Sequence, residues 1–260
     1  MNIPLPVIES ILLETDYNTL QNTRELQSEY LRKKTQHNTY KDSIKNNNLI
    51  NMKWLHDNGR LWEHWTFISA VESGNLEIMK WLHENGCPMH EDTLQYAAKH
   101  GNLENMKWLR DNGCPWDADT FTYAAQHGNL ENMKWLRDNG CPWDVYTLAG
   151  ASLNCNLDNM KWLHDNGCPW DEETFENIAL YGDLEIMKWS RDTGCPWDER
   201  TFSSAAKNGD LEIMKWLLTN GCPWDIHTSY AAGECENVDN IKWLIANGCP
   251  WDDESFYGIL

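Results

Sequence analysis

The stretch TFTYAAQHGNLENMKWLRDNGCPWD, residues 120–144, decides the fold, because the chain repeats its pattern at a constant spacing. The tryptophan of its Lys-Trp pair returns every 27 residues, at Trp54, Trp81, Trp108, Trp135, Trp162, Trp189, Trp216 and Trp243. A fixed internal period is typical of a solenoid, in which each short unit packs against its neighbours. We therefore expect eight 27-residue repeats and a partial ninth over residues 39–260, preceded by a separate segment over residues 1–36.

One repeat predicts two short helices joined by a tight turn. Asp117 or Thr120 can cap the free N–H groups at the start of the first helix. Gly128 permits the positive φ of a turn, and the Asn-Gly pair at 139–140 ends the second helix. Apolar residues cover most of the second helix's circumference, as expected for a helix packed between neighbours. Because no segment alternates like a strand, the sequence predicts an all-α solenoid of helical hairpins.

The charge of the chain excludes several classes of partner. The sequence has 21 Lys and Arg residues against 40 Asp and Glu residues, a net charge of −19. Such a surface repels phosphate backbones, which disfavours nucleic acid as a partner. No apolar run approaches the ~20 residues that a membrane-spanning helix needs, and the N-terminus lacks the basic lead of a signal peptide. We expect an intracellular, cytoplasmic protein that binds neither nucleic acid nor a membrane.

The repeat pattern Thr-Phe-x-Tyr-Ala-Ala-x-x-Gly-Asn-Leu-Glu-x-Met-Lys-Trp-Leu resembles the ankyrin repeat, and the resemblance extends over residues 39–260. The usual ankyrin period is about 33 residues, so each unit is about six residues short. The shortage falls before Thr147, where an ankyrin repeat has its β-hairpin finger, so we expect the fingers to be reduced to a Cys-Pro-Trp-Asp turn. Shortened arrays of this kind resemble those of giant DNA viruses and amoebae, which implies the host cytoplasm if the chain is viral. The resemblance implies a module for protein–protein interaction.

The N-terminal segment, residues 1–36, resembles an F-box, the motif that docks a substrate receptor onto the Skp-type subunit of cullin ubiquitin ligases. The resemblance implies that the chain recruits substrates to such a ligase. The residues that would dock are Leu5, Pro6, Ile8, Ile11, Leu12 and Leu20. The alternative is a helix pair that only caps the open end of the solenoid, which leaves a plain, non-catalytic ankyrin scaffold.

Seven of the nine cysteines occur once per repeat, at the same place and each before a proline. Stacked helices lie ~8–10 Å apart, whereas a disulfide needs Cα atoms within ~7 Å and a zinc site needs four gathered ligands. His56 and His164 share one slot near the end of the second helix, but arginines hold this slot in other repeats. We therefore expect buried thiols and neither a metal nor another cofactor. Cys155 and Cys235 break the pattern, and we hypothesise that they are exposed and reactive.

Two further rows of residues recur with the repeat. The tryptophans are predicted to lie in the core and to stack between repeats. The aspartates that follow the second tryptophan series are predicted to cap their helices, and the alternative is an acidic surface for a basic partner. The row consists of Asp117, Asp144, Asp171, Asp198, Asp225 and Asp252.

The sequence contains no motif for a catalytic site, so we predict that the chain is not an enzyme. Positions that vary between repeats are not needed by the stack and are therefore candidates for recognition. On the first helices, which line the concave side of ankyrin arrays, we predict an unidentified protein partner to contact Gln95, His100, Thr122, His127, Glu176, Tyr181, Ser203 and Asn208. The alternative is that these solvent-exposed positions vary without function.

Overall fold

The fold is described from a computed structural model, which covers residues 39–100, 102–235 and 237–251. Over these residues the regular structure consists of 16 α-helices and contains no strand. The all-α prediction is therefore confirmed. The chain divides into two compact units, Met1–Met89 and His90–Leu260.

The described part of the first unit consists of two helical hairpins. Its helices are α1 (Tyr40–Lys45), α2 (Leu49–Asp57), α3 (Thr66–Glu72) and α4 (Leu76–Glu84). Within this unit α1 packs against both α2 and α3, and α3 packs against α4. Tyr40, Phe67 and Met79 are fully buried between these helices. The hydroxyl of Tyr40 donates to the carbonyl of Arg60 at 3.0 Å, so its polar end is satisfied.

The second unit continues the same hairpin through six repeats. The first helices of its hairpins are α5 (Thr93–His100), α7 (Ala118–Gln126), α9 (Val145–Ser152), α11 (Glu172–Tyr181), α13 (Glu199–Asn208) and α15 (Ile226–Cys235). The second helices are α6 (Leu103–Asp111), α8 (Leu130–Asp138), α10 (Leu157–Asp165), α12 (Leu184–Asp192), α14 (Leu211–Thr219) and α16 (Val238–Ala246). Each first helix packs against its own second helix and against the first helix of the next repeat. This side-by-side stack of hairpins is the arrangement that the repeat predicted.

Small residues allow the first helices to approach closely. Ala124 and Ala125 of α7 are both buried. On α9, a Cβ atom built on Gly150 would lie 3.0 Å from the Cγ2 atom of Thr122 and 3.2 Å from its backbone oxygen. A contact that short would push the neighbouring α7 away, so the glycine keeps these helices together. From α5 to α13 each first helix has one large buried apolar side chain at the same position, at Leu94, Phe121, Leu148, Phe175 and Phe202, and the buried Ser229 holds this position on α15.

The aspartate row caps the first helices, as predicted. Asp117 begins α7: its carboxylate accepts from the backbone N–H of Thr120 at 3.0 Å, and its own N–H donates to the Thr120 hydroxyl. The same side-chain cap occurs at Asp144, Asp171 and Asp198, while Asp252 lies outside the described residues.

The start of the second helix holds a cap that the sequence interpretation missed. An asparagine or aspartate directly after the turn glycine accepts the first backbone N–H groups of the helix, for example Asn129 from Asn132 at 2.9 Å. The Gly-Asn pair was interpreted only as a turn. Gly128 and Gly140 adopt the positive φ values of 73° and 79° that the sequence predicted for them. In the described repeats the Cys-Pro-Trp-Asp segment connects consecutive hairpins without a strand, so the fingers are reduced as expected.

Candidate protein-binding surface

The predicted contact residues lie on the first helices of the second unit, in two rows. The first row follows the buried residue of each helix and is half-buried, at Gln95, Thr122, Glu176 and Ser203. The second row lies at the carboxyl ends of the helices and is exposed, at His100, His127, Tyr181 and Asn208. Tyr181 has 58% of its surface exposed.

The half-buried row also joins neighbouring repeats. The Gln95 amide donates to the carboxylate of Asp117 at 3.2 Å. The hydroxyl groups of Thr122 and Thr147 lie 3.2 Å apart, and those of Ser203 and Thr228 lie 3.3 Å apart. The interpretation that variable positions are not used by the stack is therefore wrong for this row, because these side chains hydrogen-bond the next hairpin. In the exposed row, Asn208 donates to the Leu180 carbonyl at 2.7 Å.

A groove of about 440 Å³ crosses the exposed side of α11, α13 and α15. Two of the predicted contact residues, Glu176 and Ser203, line it. The sequence interpretation had considered Asp225 as part of an acidic surface for a basic partner and Lys207 as a position that varies between repeats. It missed the rest of the lining, although those positions also differ from repeat to repeat. The charged and aromatic members are Glu199, Arg200, Lys207, Asp225, His227, Tyr230 and Glu234.

Ion pairs organise the charges of this groove. The Arg200 guanidinium lies 2.8 Å from the Asp198 carboxylate and 3.4 Å from that of Glu176. The hydrogen bond from Asp198 raises the pKa of Arg200 above its ordinary value. The Lys207 ammonium lies 2.9 Å from the Glu234 carboxylate, whose hydrogen bond raises the pKa of Lys207. Both cations of the groove are therefore held by carboxylates of the same surface.

The surface beside the groove is neutral. Helix α9 contains no charged residue, and Tyr146 at its start is 56% exposed. Leu153, directly after α9, is 37% exposed, and Tyr123 on α7 is 36% exposed. The first helices therefore present an aromatic, uncharged stretch followed by a charged groove.

The tryptophans stack between repeats, but they are half-buried rather than enclosed in the core. The rings of Trp116, Trp143, Trp170 and Trp197 each lie edge to face against a ring 19 residues later, as Trp116 does with Trp135 at 5.7 Å and Trp197 with Trp216 at 5.9 Å. The predicted stacking is confirmed. The predicted core position is wrong, because the indoles are half-buried or exposed, and arginine side chains lie over the rings of Trp116, Trp143 and Trp197.

In several repeats an arginine or histidine side chain near the end of the second helix covers the ring of the tryptophan six residues later. The Arg137 guanidinium lies 3.8 Å from the ring centre of Trp143, and the His164 ring lies 4.8 Å from that of Trp170. Cations favour the face of an indole, which accounts for the arginines at 110, 137 and 191, whereas Leu218 and Ile245 hold this position in the last two repeats. The sequence interpretation considered the slot only as a metal ligand and missed this role.

The repeated cysteines are buried, as predicted. From Cys141 onward their thiols donate to the carbonyl of the aspartate 24 residues earlier, for example Cys141 to Asp117 at 3.4 Å and Cys168 to Asp144 at 3.7 Å. Burial raises the pKa of Cys141 and of Cys168 to about 12. Over residues 39–100, 102–235 and 237–251, no group of His, Cys, Asp and Glu side chains is arranged to hold a metal ion.

Cys155 and Cys235 are half-buried, so the expectation that they are exposed is wrong. The Cys155 thiol donates to the Ser152 carbonyl at 3.1 Å, and burial raises its pKa above the ordinary value. Both effects favour the neutral thiol over the reactive thiolate. Cys155 does take the place of the turn glycine, with a φ of 48°.

Two asparagines form hydrogen bonds between repeats that no sequence pattern had indicated. The buried Asn159 amide donates to the Gly128 carbonyl at 2.8 Å, and Asn240 donates to the Gly209 carbonyl at 2.5 Å. Each bond joins the second helix of one hairpin to the turn of the hairpin before it. Isoleucine holds the same position at Ile186 and Ile213, so only some interfaces have this polar contact.

The residues predicted to dock a ubiquitin ligase lie outside the described residues. They are Leu5, Pro6, Ile8, Ile11, Leu12 and Leu20.

Comparison with known families agrees with the hairpin geometry. Residues 66–147 match the family model of ankyrin repeats, in three copies. Among solved structures, the ankyrin repeat domain of human ASB11 is similar, with 17% identity, a TM-score of 0.48, and coverage of 60% of this chain and 84% of that one. The pentatricopeptide repeat protein PPR10 from maize has 13% identity and a TM-score of 0.44, with coverage of 85% of this chain and 39% of that one.

A search of curated proteins found no match to the chain. Within the part of the chain that the structure describes, every helix is too short or too polar to cross a lipid bilayer.

Proposed function

We propose that the chain is a non-catalytic protein-binding module that holds its partner on the first helices of the second unit. Ankyrin repeats indicate a protein partner. The observation that carries the proposal is the contrast between two sets of positions on these helices. On α5, α7, α9, α11 and α13 the buried position is always Leu or Phe, and on α15 it is Ser229, whereas the exposed residues at the helix ends are His100, His127, Tyr181 and Asn208. The second set is exposed and varied, although Asn208 also donates to the Leu180 carbonyl of the preceding repeat, so these positions are available for recognition.

Affinity capture tests this proposal. A variant with His100, His127, Tyr181 and Asn208 replaced by alanine should lose the proteins that the full chain retains from its native cell. The control replaces four exposed lysines of the second helices, Lys107, Lys134, Lys188 and Lys215, by alanine. If both variants retain the same proteins, the first helices are not the binding surface. Thermal unfolding of each variant shows whether it is still folded.

We also propose, as a second function, that the chain recruits its partner to a cullin ubiquitin ligase. The observation that favours this function is the F-box-like pattern of residues 1–36. Purified Skp-type subunit should bind the full chain, and replacing Ile11 and Leu12 by aspartate should abolish the binding. If the unmodified chain does not bind the subunit, the adaptor function fails and the plain scaffold remains.

We also propose that the chain is located in the cytoplasm. If the chain is viral, as the resemblance of its shortened repeats to those of giant DNA viruses implies, this is the cytoplasm of the host. The net charge of −19 supports it, because an acidic surface avoids nucleic acids and anionic membranes. Fluorescence microscopy of the tagged chain tests it. Accumulation in the nucleus or at a membrane would contradict this location.

A further inference from the structure

The groove across α11, α13 and α15 has the chemistry of a receptor for basic side chains. Four carboxylates line it, from Glu176, Glu199, Asp225 and Glu234, against the two cations Arg200 and Lys207. The carboxylates exceed the cations, and the net charge of −19 on the chain adds to the negative potential. A cleft with an excess of one sign of charge attracts the opposite sign, so the groove favours a cationic ligand.

The groove already binds two cations, which belong to the chain itself. Glu176 and Asp198 hold the Arg200 guanidinium at 3.4 and 2.8 Å, and Glu234 holds the Lys207 ammonium at 2.9 Å. The positions of these carboxylates therefore suit both a planar guanidinium and an ammonium group. All of these side chains are on the surface, where such pairs are weak and exchange readily.

An aromatic wall completes the groove. His227 and Tyr230 of α15 line it, and their ring centres lie 6.2 Å apart. Aromatic faces attract guanidinium and ammonium groups in addition to any ion pair. The groove is open to solvent along the helices and has a volume of about 440 Å³, which suits an extended peptide segment.

We propose that this groove binds a lysine- and arginine-rich segment of the partner protein. The inference rests on the proposed function, since it names the chemistry of the partner on the same first helices. Charge complementarity is what selects this occupant over an acidic or an apolar segment. In this binding mode the segment's basic groups compete with Arg200 and Lys207 for Glu176, Asp198 and Glu234.

Fluorescence anisotropy with a labelled poly(Arg-Ala) peptide tests the proposal on the full chain. We expect binding at low salt that weakens as salt rises, and none for a poly(Glu-Ala) peptide of the same length. Replacing Glu176, Glu199 and Glu234 by glutamine should weaken binding about fivefold or more, since three exposed ion pairs are lost. The matched control replaces three exposed carboxylates of the second helices, Glu131, Glu185 and Glu212, and should change it by less than about twofold.

A second pair of variants separates the groove from the overall charge. Replacing Arg200 and Lys207 by glutamine frees the groove's carboxylates and should tighten binding of the poly(Arg-Ala) peptide about threefold. Replacing Lys188 and Lys215 on the second helices changes the net charge by the same amount but leaves the groove unchanged. We expect this control to bind the peptide like the unmodified chain.

The outcomes distinguish this inference from the proposed function. Absence of peptide binding, or equal effects in the groove variants and their controls, would overturn the basic segment as the occupant. If the affinity capture described above still depended on the first helices, the proposed function would stand and only the inference would fail. Selective effects of both groove variants would support it.

Discussion

At the scale of single residues, each repeated cysteine from Cys141 onward combines burial with a hydrogen bond to the preceding repeat. Cys168 is buried, its thiol donates to the Asp144 carbonyl, and desolvation raises its pKa from 9.0 to about 12. Since a buried thiolate would lose its hydration, the folded state favours the neutral form. The same direction of shift occurs at the other six repeated cysteines.

These shifts predict that the protein loses stability in alkaline solution. The unfolded thiol has a pKa near 9.0 and the folded Cys168 thiol one of about 12, so the folded state keeps its proton over this range. The stabilisation is therefore complete below about pH 9 and is lost as the pH rises towards about 12. Urea unfolding at a series of pH values measures it. In a Cys168→Ala variant the free energy of unfolding should fall less steeply with pH, because about one fewer proton is released on unfolding. Parallel curves for the variant and the unmodified chain would contradict the assignment.

Cys155 provides a second prediction at this scale. Its φ of 48° is a left-handed conformation in which a Cβ atom is crowded, and glycine holds the equivalent position at Gly128. We expect Cys155→Gly to increase the free energy of unfolding by about 1 kcal/mol, although the thiol's hydrogen bond to Ser152 is lost. Chemical denaturation measures the change. Cys155→Ala keeps the Cβ atom and also lacks the thiol, so it should show no gain. A larger gain for alanine than for glycine would refute the backbone explanation.

At the scale of the element, the start of most described helices is determined by a side chain three residues or fewer away, although α3 begins without a side-chain cap. Asp117 and Thr120 form a reciprocal pair of hydrogen bonds at the start of α7. Such a pair satisfies N–H groups that have no partner within the helix. Because donor and acceptor are neighbours in the sequence, the cap could be predicted without knowing the fold. The asparagine caps of the second helices are equally local. The sequence interpretation missed them because it considered the preceding glycine as a turn residue and did not consider the asparagine as a helix cap.

Removing one cap should destabilise the second unit measurably. We expect Asp117→Ala to lower the free energy of unfolding by about 1 kcal/mol, because it leaves the N–H of Thr120 without its acceptor. Asp119→Ala is the control, since Asp119 is an exposed residue in the first turn of the same helix and does not cap it. Thermal and urea unfolding of both variants give the comparison. Equal losses would mean that helix-dipole charge, rather than the cap, stabilises α7.

At the scale of the molecule, the second unit is held together by contacts between successive repeats. The ring centres of Phe121 and Trp143 lie 5.2 Å apart. The ring centres of Trp143 and Trp162, which belongs to the following repeat, lie 6.5 Å apart. In such a stack, energetic coupling should fall off within one or two repeats. The chain itself offers mild substitutions for a test, since leucine stands at the Phe121 position in other repeats and methionine at the Trp143 position.

Double-mutant cycles should show this short range. For the contacting pair Phe121→Leu and Trp143→Met, we expect a coupling energy of about 0.5–1.5 kcal/mol. For Phe121→Leu with Phe202→Leu, three repeats further along, the effects should add within about 0.5 kcal/mol. Urea unfolding of the single and double variants provides both values. Strong coupling in the distant pair would contradict a stack in which each repeat contacts only its neighbours.

The sequence by itself determined the period, the helical class and the positions of caps and turns. Asp117, Gly128 and Gly140 act through backbone groups within a few residues of themselves, so local steric and hydrogen-bond rules were sufficient. The exposure of the tryptophans, the place of Arg137 on the Trp143 ring, and the groove were decided only by the tertiary structure. These features join residues of different hairpins, or of different helices and loops. Their burial and electrostatics depend on how closely and at what angle the hairpins stack, which no local pattern encodes.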